Sequence, residues 1–193
     1  MIQIKSAENE SELKGILELQ EANLFQNLSP QEKSEQGFVT VKHSLEQLTA
    51  MNELAAHVIA KDGDQVAGYI LAMTKASRAV IPVLVPMFEQ FDQLKVDGKP
   101  ISALDYLVIG QICVGKNYRG QGLFDRMYAE YRKKFAGKHE FGITEIATSN
   151  LRSLNAHHRV GFETIHIFRD AIQEWAIVVW KWKDLPSRSD KDS

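Results

Sequence analysis

The chain has 193 residues, 44% of them hydrophobic and 25% charged, an ordinary globular mix that excludes a disordered chain or a collagen-like rod. Its length suits one domain with a sizeable core. The 23 Lys and Arg against 25 Asp and Glu leave a net charge of −2, so nothing draws the whole molecule to nucleic acid.

In chain order, residues 2–5 alternate as a short strand. Asn9 with Glu12 three residues on predicts a helix start, followed by Leu13, Ile16, Leu17 and Leu24. A polar stretch, 27–37, reads as a loop. Ser44 with Gln47 marks a second helix before Leu45, Leu48 and Met51. Residues 57–60 and 65–74, joined by Lys61-Asp62-Gly63-Asp64, predict a hairpin. Residues 75–100 form an insert: a proline-punctuated apolar run, then Met87, Phe88, Phe91 and Leu94 on one face of a short helix, then an Asp97-Gly98-Lys99-Pro100 turn. The segment 106–114 is almost continuously apolar and predicts a strand buried on both faces at the centre of a sheet. Gly110 inside it marks a bulge. Helix 123–135, strand 143–148, helix 150–159 and strands 162–169 and 174–182 follow. The tail from 184 is polar. The order β-α-α-β-β-insert-β-α-β-α-β-β describes an α/β or α+β domain around one mixed sheet. The single cysteine, Cys113, permits no intrachain disulfide. With no basic-then-apolar leader at the N-terminus, it points to the cytoplasm. No stretch approaches the roughly 20 apolar residues of a membrane span.

The informative segment is Gly115-Lys116-Asn117-Tyr118-Arg119-Gly120-Gln121-Gly122-Leu123, where a buried strand runs through a glycine turn into an amphipathic helix. Such a turn is an anion site. The first N–H groups of the helix have no intrahelical partner, glycines let a phosphate approach them, and Arg119 adds a charged fork. A P-loop is excluded because Asn117 follows Gly115-Lys116 where Ser or Thr is needed. A dinucleotide fingerprint fits poorly because Asp125 stands at its third glycine. The stretch Asn117 to Gly122 matches Q/R-x-x-G-x-G/A except at Asn117. About 30 residues on, Asn150 to Phe162 matches N-x-x-A/S-x-x-x-Y-x-x-x-G-F, with Ser153 as the small residue, Gly161-Phe162 at the end and His157 in place of the tyrosine. Gly37-Phe38-Val39 is a weaker echo.

On these motifs and the element order, residues 1–183 resemble the Gcn5-related N-acetyltransferase (GNAT) superfamily. The resemblance implies a three-layer α/β (α+β) fold, a central mixed, mostly antiparallel sheet flanked by helices. It implies acetyl transfer from acetyl-CoA to a primary amine of a small molecule or protein, by direct attack in a ternary complex without metal. The main chain of Ile112, Cys113 and Val114 would pair with the pantetheine arm. Asn117 and the amides from Arg119 through Gly120, Gln121 and Gly122 to Leu123 would hold the pyrophosphate. Asn150 and Ser153 would stand near the thiol end.

His157 stands where many members carry an acid, and a histidine can protonate a thiolate; its other role is packing on its helix. Gln111, on the strand before the glycine turn, cannot take a proton and is expected to hold a water or the substrate. Glu145 reads as a solvated strand residue, so no base is assigned. Met87, Phe88 and Phe91 of the insert are expected either to line an acceptor pocket or to cap the core or a dimer face. The expected partners are acetyl-CoA and an amine, with no nucleic acid or membrane, in a monomer or homodimer. A rival reading from another class is a catalytically weak acyl-CoA-binding or regulatory module, favoured by the missing tyrosine and the absent carboxylate beside the glycine turn.

Overall fold

The computed structural model describes residues 1–32 and 38–182; the expected tail at 184–193, the 183 boundary and Gly37 lie outside them. A short strand β1 (Gln3–Ser6) leads into α1 (Glu10–Asn23) and α2 (Leu45–Leu54). Both predicted starts are capped. The Asn9 side chain accepts from Glu12 N at 3.0 Å, but the Glu12 carboxylate turns to Glu8 N, Lys5 and Lys61 instead of back to Asn9. Ser44 and Gln47 make the complete reciprocal box. The hairpin β2 (Val58–Asp62) and β3 (Gln65–Met73) follows.

The insert holds α3 (Val85–Asp92) and a two-residue hairpin, β4 (Lys95–Val96) with β5 (Lys99–Pro100). After it come β6 (Tyr106–Val114), α4 (Leu123–Phe135), β7 (Phe141–Ala147), α5 (Leu151–Val160), β8 (Glu163–Arg169) and β9 (Glu174–Lys181).

Seven strands form one sheet in the order β1-β2-β3-β6-β7-β9-β8. Every neighbouring pair is antiparallel except β6 with β7. Helices α1, α2 and α3 cover one face, where Ile16, Leu48, Phe88 and Phe91 meet Tyr69, Leu71, Tyr106 and Val108. Helix α4 covers the other. Its apolar stripe of Leu123, Met127, Tyr128, Tyr131 and Phe135 meets Ile70, Leu107, Val178 and Trp180. The result is the expected three-layer α/β fold.

Two irregularities of β6 shape the site. Its pairing with β3 slips by one residue between Leu71↔Gln111 and Ala72↔Ile109, so Gly110 is the extra residue of a bulge. A Cβ at Gly110 would run into the Met73 side chain. Second, β6 pairs with β7 only over Tyr106–Val108. Where the ladder stops, side chains take over: Tyr131 Oη donates to the Val108 carbonyl at 3.2 Å and Thr144 Oγ1 to the Ile109 carbonyl at 2.8 Å. Beyond that point the two strands part, and the edge of β6 from Ile112 to Val114 faces a cleft. Among the described residues, no helix is long and apolar enough to cross a membrane.

Candidate active site

The cleft between the parted strands has a volume of about 810 Å³. One wall is Ile112, Cys113 and Val114, and the floor is the glycine turn into α4. Gly120 and Gly122 take φ of 75° and 70°, which side chains disfavour. The first helical bond of α4 runs from Arg126 N to Gly122 O, so the amides of Leu123 to Asp125 precede the ladder.

Arg119 lines the cleft and is oriented from two sides. Its Nε donates to the Val114 carbonyl at 3.2 Å, and a terminal nitrogen donates to Asn23 Oδ1 at 2.7 Å. Arg152 and Arg159, two turns apart on α5, add further cations, and Arg159 is tied to Asp125 at 2.8 Å. A basic cleft over open helix amides fits a polyphosphate. Asn117 and Gln121 do not line it; Gln121 Nε2 donates to the Asn117 carbonyl at 3.0 Å, bracing the turn.

Where β6 leaves β7, the cleft adjoins a smaller cavity of about 90 Å³; Phe38, Val39, Ile112, Asn150 and Ser153 line both. Asn150 caps α5 by accepting from Ser153 N at 3.2 Å and donates to the Phe38 carbonyl at 3.3 Å, so it pins the covering segment. Gln111 lines the small cavity and is held there by three hydrogen bonds. Its Nε2 donates to the Val41 carbonyl at 2.9 Å, and its Oε1 accepts from Gln20 Nε2 and from the Tyr69 hydroxyl. It holds the roof segment 38–41 against the strand.

Glu145 stands on β7 and lines the same cavity. Its Oε2 is buried without a hydrogen-bond partner. Burial first, and the charge of Asp170 second, push its carboxyl up to about 7. A carboxylate with that affinity for a proton can exchange one near neutral pH.

His157 also lines the cavity, at the position expected for an acid. Its Nδ1 lies 2.7 Å from the Ser153 carbonyl, which can only accept. Nδ1 therefore carries the proton, and Nε2 accepts from the Tyr128 hydroxyl at 2.7 Å. Burial lowers its pKa to about 4. A neutral ring with both nitrogens engaged has no proton to give, so this geometry matches the packing role. Cys113 lines the main cleft, but burial pushes its thiol up to about 12, leaving no thiolate nucleophile.

Met87, Phe88 and Phe91 are brought to neither cavity. They are buried in the core, where Phe88 and Phe91 meet edge to face and Phe91 meets Tyr106. The helical stripe that suggested a pocket is the stripe that fastens the insert to the sheet.

The model of the acetyltransferase (GNAT) family matches residues 22–162. The chain belongs to that family. Its fold is similar to the ribosomal-protein-S18-alanine N-acetyltransferase of Escherichia coli, with a TM-score of 0.65 at 12% identity over 97% of this chain and 98% of that one. It is also similar to yncA of Salmonella typhimurium, solved with its cofactor acetyl-CoA, with a TM-score of 0.60 at 14% identity over 96% of each chain. A third likeness is Arabidopsis thaliana Naa50 with a CoA-Ac-MVNAL bisubstrate analogue, with a TM-score of 0.56 at 14% identity over 92% of this chain and 97% of that one. No curated protein matches the sequence significantly. The GNAT family uses acetyl-CoA as its donor, and a basic cleft over open helix amides is of the kind that suits such a polyanion.

Sequence reasoning missed Asn23, Arg152 and Arg159 at the cofactor cleft, and Glu145 and Trp175 at the small cavity. Two signals were present. Continuing the buried stripe Leu13, Ile16 by helical steps reaches Gln20 and Asn23, polar residues where the pattern calls for apolar ones. The seven-residue spacing of Arg152 and Arg159 puts both on one helix face.

Proposed function

We propose that the protein transfers acetyl from acetyl-CoA to a primary amine by direct attack in a ternary complex, with Glu145 as general base. The observation that carries this reading is the buried, unpartnered Oε2 of Glu145 in the small cavity adjoining the basic cleft. The pantetheine arm runs along the edge of β6 at Ile112–Val114, and the glycine turn with Arg119 takes the pyrophosphate. The thioester then lies where the two cavities meet, between Asn150 and Gln111.

The amine must be neutral when it attacks. Glu145 takes the proton that nitrogen sheds as the N–C bond forms. The C–S bond breaks, the departing sulfur takes up a proton passed on through the cavity, and an amide and CoA thiol are left. Neither Cys113 nor His157 enters, since neither offers a nucleophile or a labile proton at neutral pH.

The binding-module reading has the locked, neutral His157 in its favour. One experiment separates the two. Thiol release is followed across a panel of amines with the native chain and with Glu145→Gln. Loss of ~100-fold or more in kcat, the size typical of removing a general base, with acetyl-CoA affinity unchanged by calorimetry, is the expected result. Tight acetyl-CoA binding with no turnover on any amine would give the module reading instead.

A further inference from the structure

The chemical class of the acceptor is written on the wall of the small cavity, and the inference rests on the acetyl-transfer reading above. We propose that Trp175 is the specificity-determining residue for the acceptor, and that it selects an amine arriving as a cation on a slim stem, with no carboxylate among the first three carbons of that stem.

Space comes first. About 90 Å³ is roughly three water volumes, enough for an ammonium head and its first carbons. The rest of the acceptor stays outside. Position comes next. In the antiparallel register Trp175 on β9 lies opposite Ala147 on β7, and Glu145 lies two residues before Ala147 on the same face. Trp175 and Glu145 are thus diagonal neighbours, and both line the cavity.

The indole is held from behind. Its Nε1 donates to Asp170 Oδ2 at 2.8 Å, while Asp170 Oδ1 accepts from Ile172 N and Gln173 N, each at 2.7 Å. Asp170 therefore fixes the ring and also adds negative potential beside Glu145.

Charge decides the class. Among the described residues lining this cavity there is no Lys or Arg, whereas three arginines line the cofactor cleft. A carboxylate entering the small cavity would lose its water, meet Glu145 and gain no cation. An ammonium would meet the Glu145 carboxylate and the π-system of Trp175; it sheds its extra proton to solvent by way of Glu145 before the neutral amine attacks, so that the carboxylate is free again to take the second proton.

The test uses the full chain with acetyl-CoA and a matched pair of acceptors, propylamine and β-alanine, the second differing by a terminal carboxylate. The expected kcat/KM for propylamine exceeds that for β-alanine at least tenfold. Trp175→Leu raises the KM for propylamine about tenfold and leaves that for acetyl-CoA within twofold; Trp175→Phe recovers most of the loss. Should Trp175→Leu not fold, Asp170→Asn, which releases the indole, is read for the same rise in amine KM. Equal use of β-alanine, or an unmoved amine KM in these variants, overturns the proposal while acetyl transfer stands. If neither amine is acetylated, propylamine is titrated into the CoA-saturated protein. Saturable binding that Trp175→Leu abolishes upholds the cavity and sinks the transfer reading, and no binding overturns the cavity itself.

Discussion

At one end of the cleft, Arg119, Arg152 and Arg159 face an open volume of about 810 Å³; at the other, Glu145 and Trp175 face about 90 Å³. The end proposed for the donor offers helix amides and exposed or half-buried cations, whose charge water tolerates at low cost. The end proposed for the acceptor leaves one carboxylate oxygen buried and unpartnered, a placement that costs free energy in the resting fold. A site meant only to hold a polyanion needs the first arrangement. The second makes sense where a proton must be taken up, since desolvation is what brings a carboxylate to the working pH.

Three measurements would sharpen or break that contrast. The largest effect belongs to the donor end: Arg119→Ala should raise the KM for acetyl-CoA about 30-fold, in the range expected for a lost charge-assisted phosphate contact, and leave the amine KM alone. An equal rise in both would mean that the two ends are one site energetically. Next, pH addresses the acceptor end. With Glu145 raised to about 7, its base form dominates above that pH and vanishes below it. The kcat/KM measured with an amine in excess should fall roughly tenfold from pH 8 to pH 6, and Glu145→Gln should flatten that limb. A limb that survives in Glu145→Gln assigns the titration elsewhere.

The smallest catalytic effect is expected at His157. His157→Phe should change kcat less than about threefold, yet lower stability by ~1–3 kcal/mol by stranding the Tyr128 hydroxyl. A large fall in kcat at unchanged stability would restore the acid role. The stability side has its own pH signature. His157 and His43 are lowered to about 4 and His57 to about 3, all chiefly by burial. The unfolded chain binds their protons near 6.5 and the fold does not, so stability holds above about pH 6.5 and drains away as pH falls toward 4.

The glycine turn under the basic cleft was legible in the sequence because it is nearly contiguous. Gly120 and Gly122 carry left-handed backbone that glycine adopts far more readily than other residues, and Arg119 sits between strand and helix with them. The capped helices, the hairpin, the central strand and its bulge were legible for the same reason: each is a local pattern. The acceptor end was not. Glu145 on β7, Trp175 on β9, Gln111 on β6 and the 38–41 segment meet only through the sheet order, and nothing local distinguishes Glu145 from a solvated strand residue. The insert shows the opposite error. A true helical stripe at Met87, Phe88 and Phe91 says that something apolar is covered, and leaves unsaid whether that is a ligand or the protein's own sheet.

The extra residue at Gly110 also sets the facing of everything after it on β6. Before the bulge, Tyr106 and Val108 look toward α1 while Leu107 and Ile109 look toward α4. After it, Cys113 looks toward α1, and Ile112 and Val114 toward α4; Gln111 reaches Gln20 of α1. Even numbers and odd numbers have exchanged sides. The strand is two half-strands written in opposite phase, the first half zipped to β7 and the second freed from it. One glycine thereby lets a single strand serve first as a stretch of core and then as the wall of a binding site.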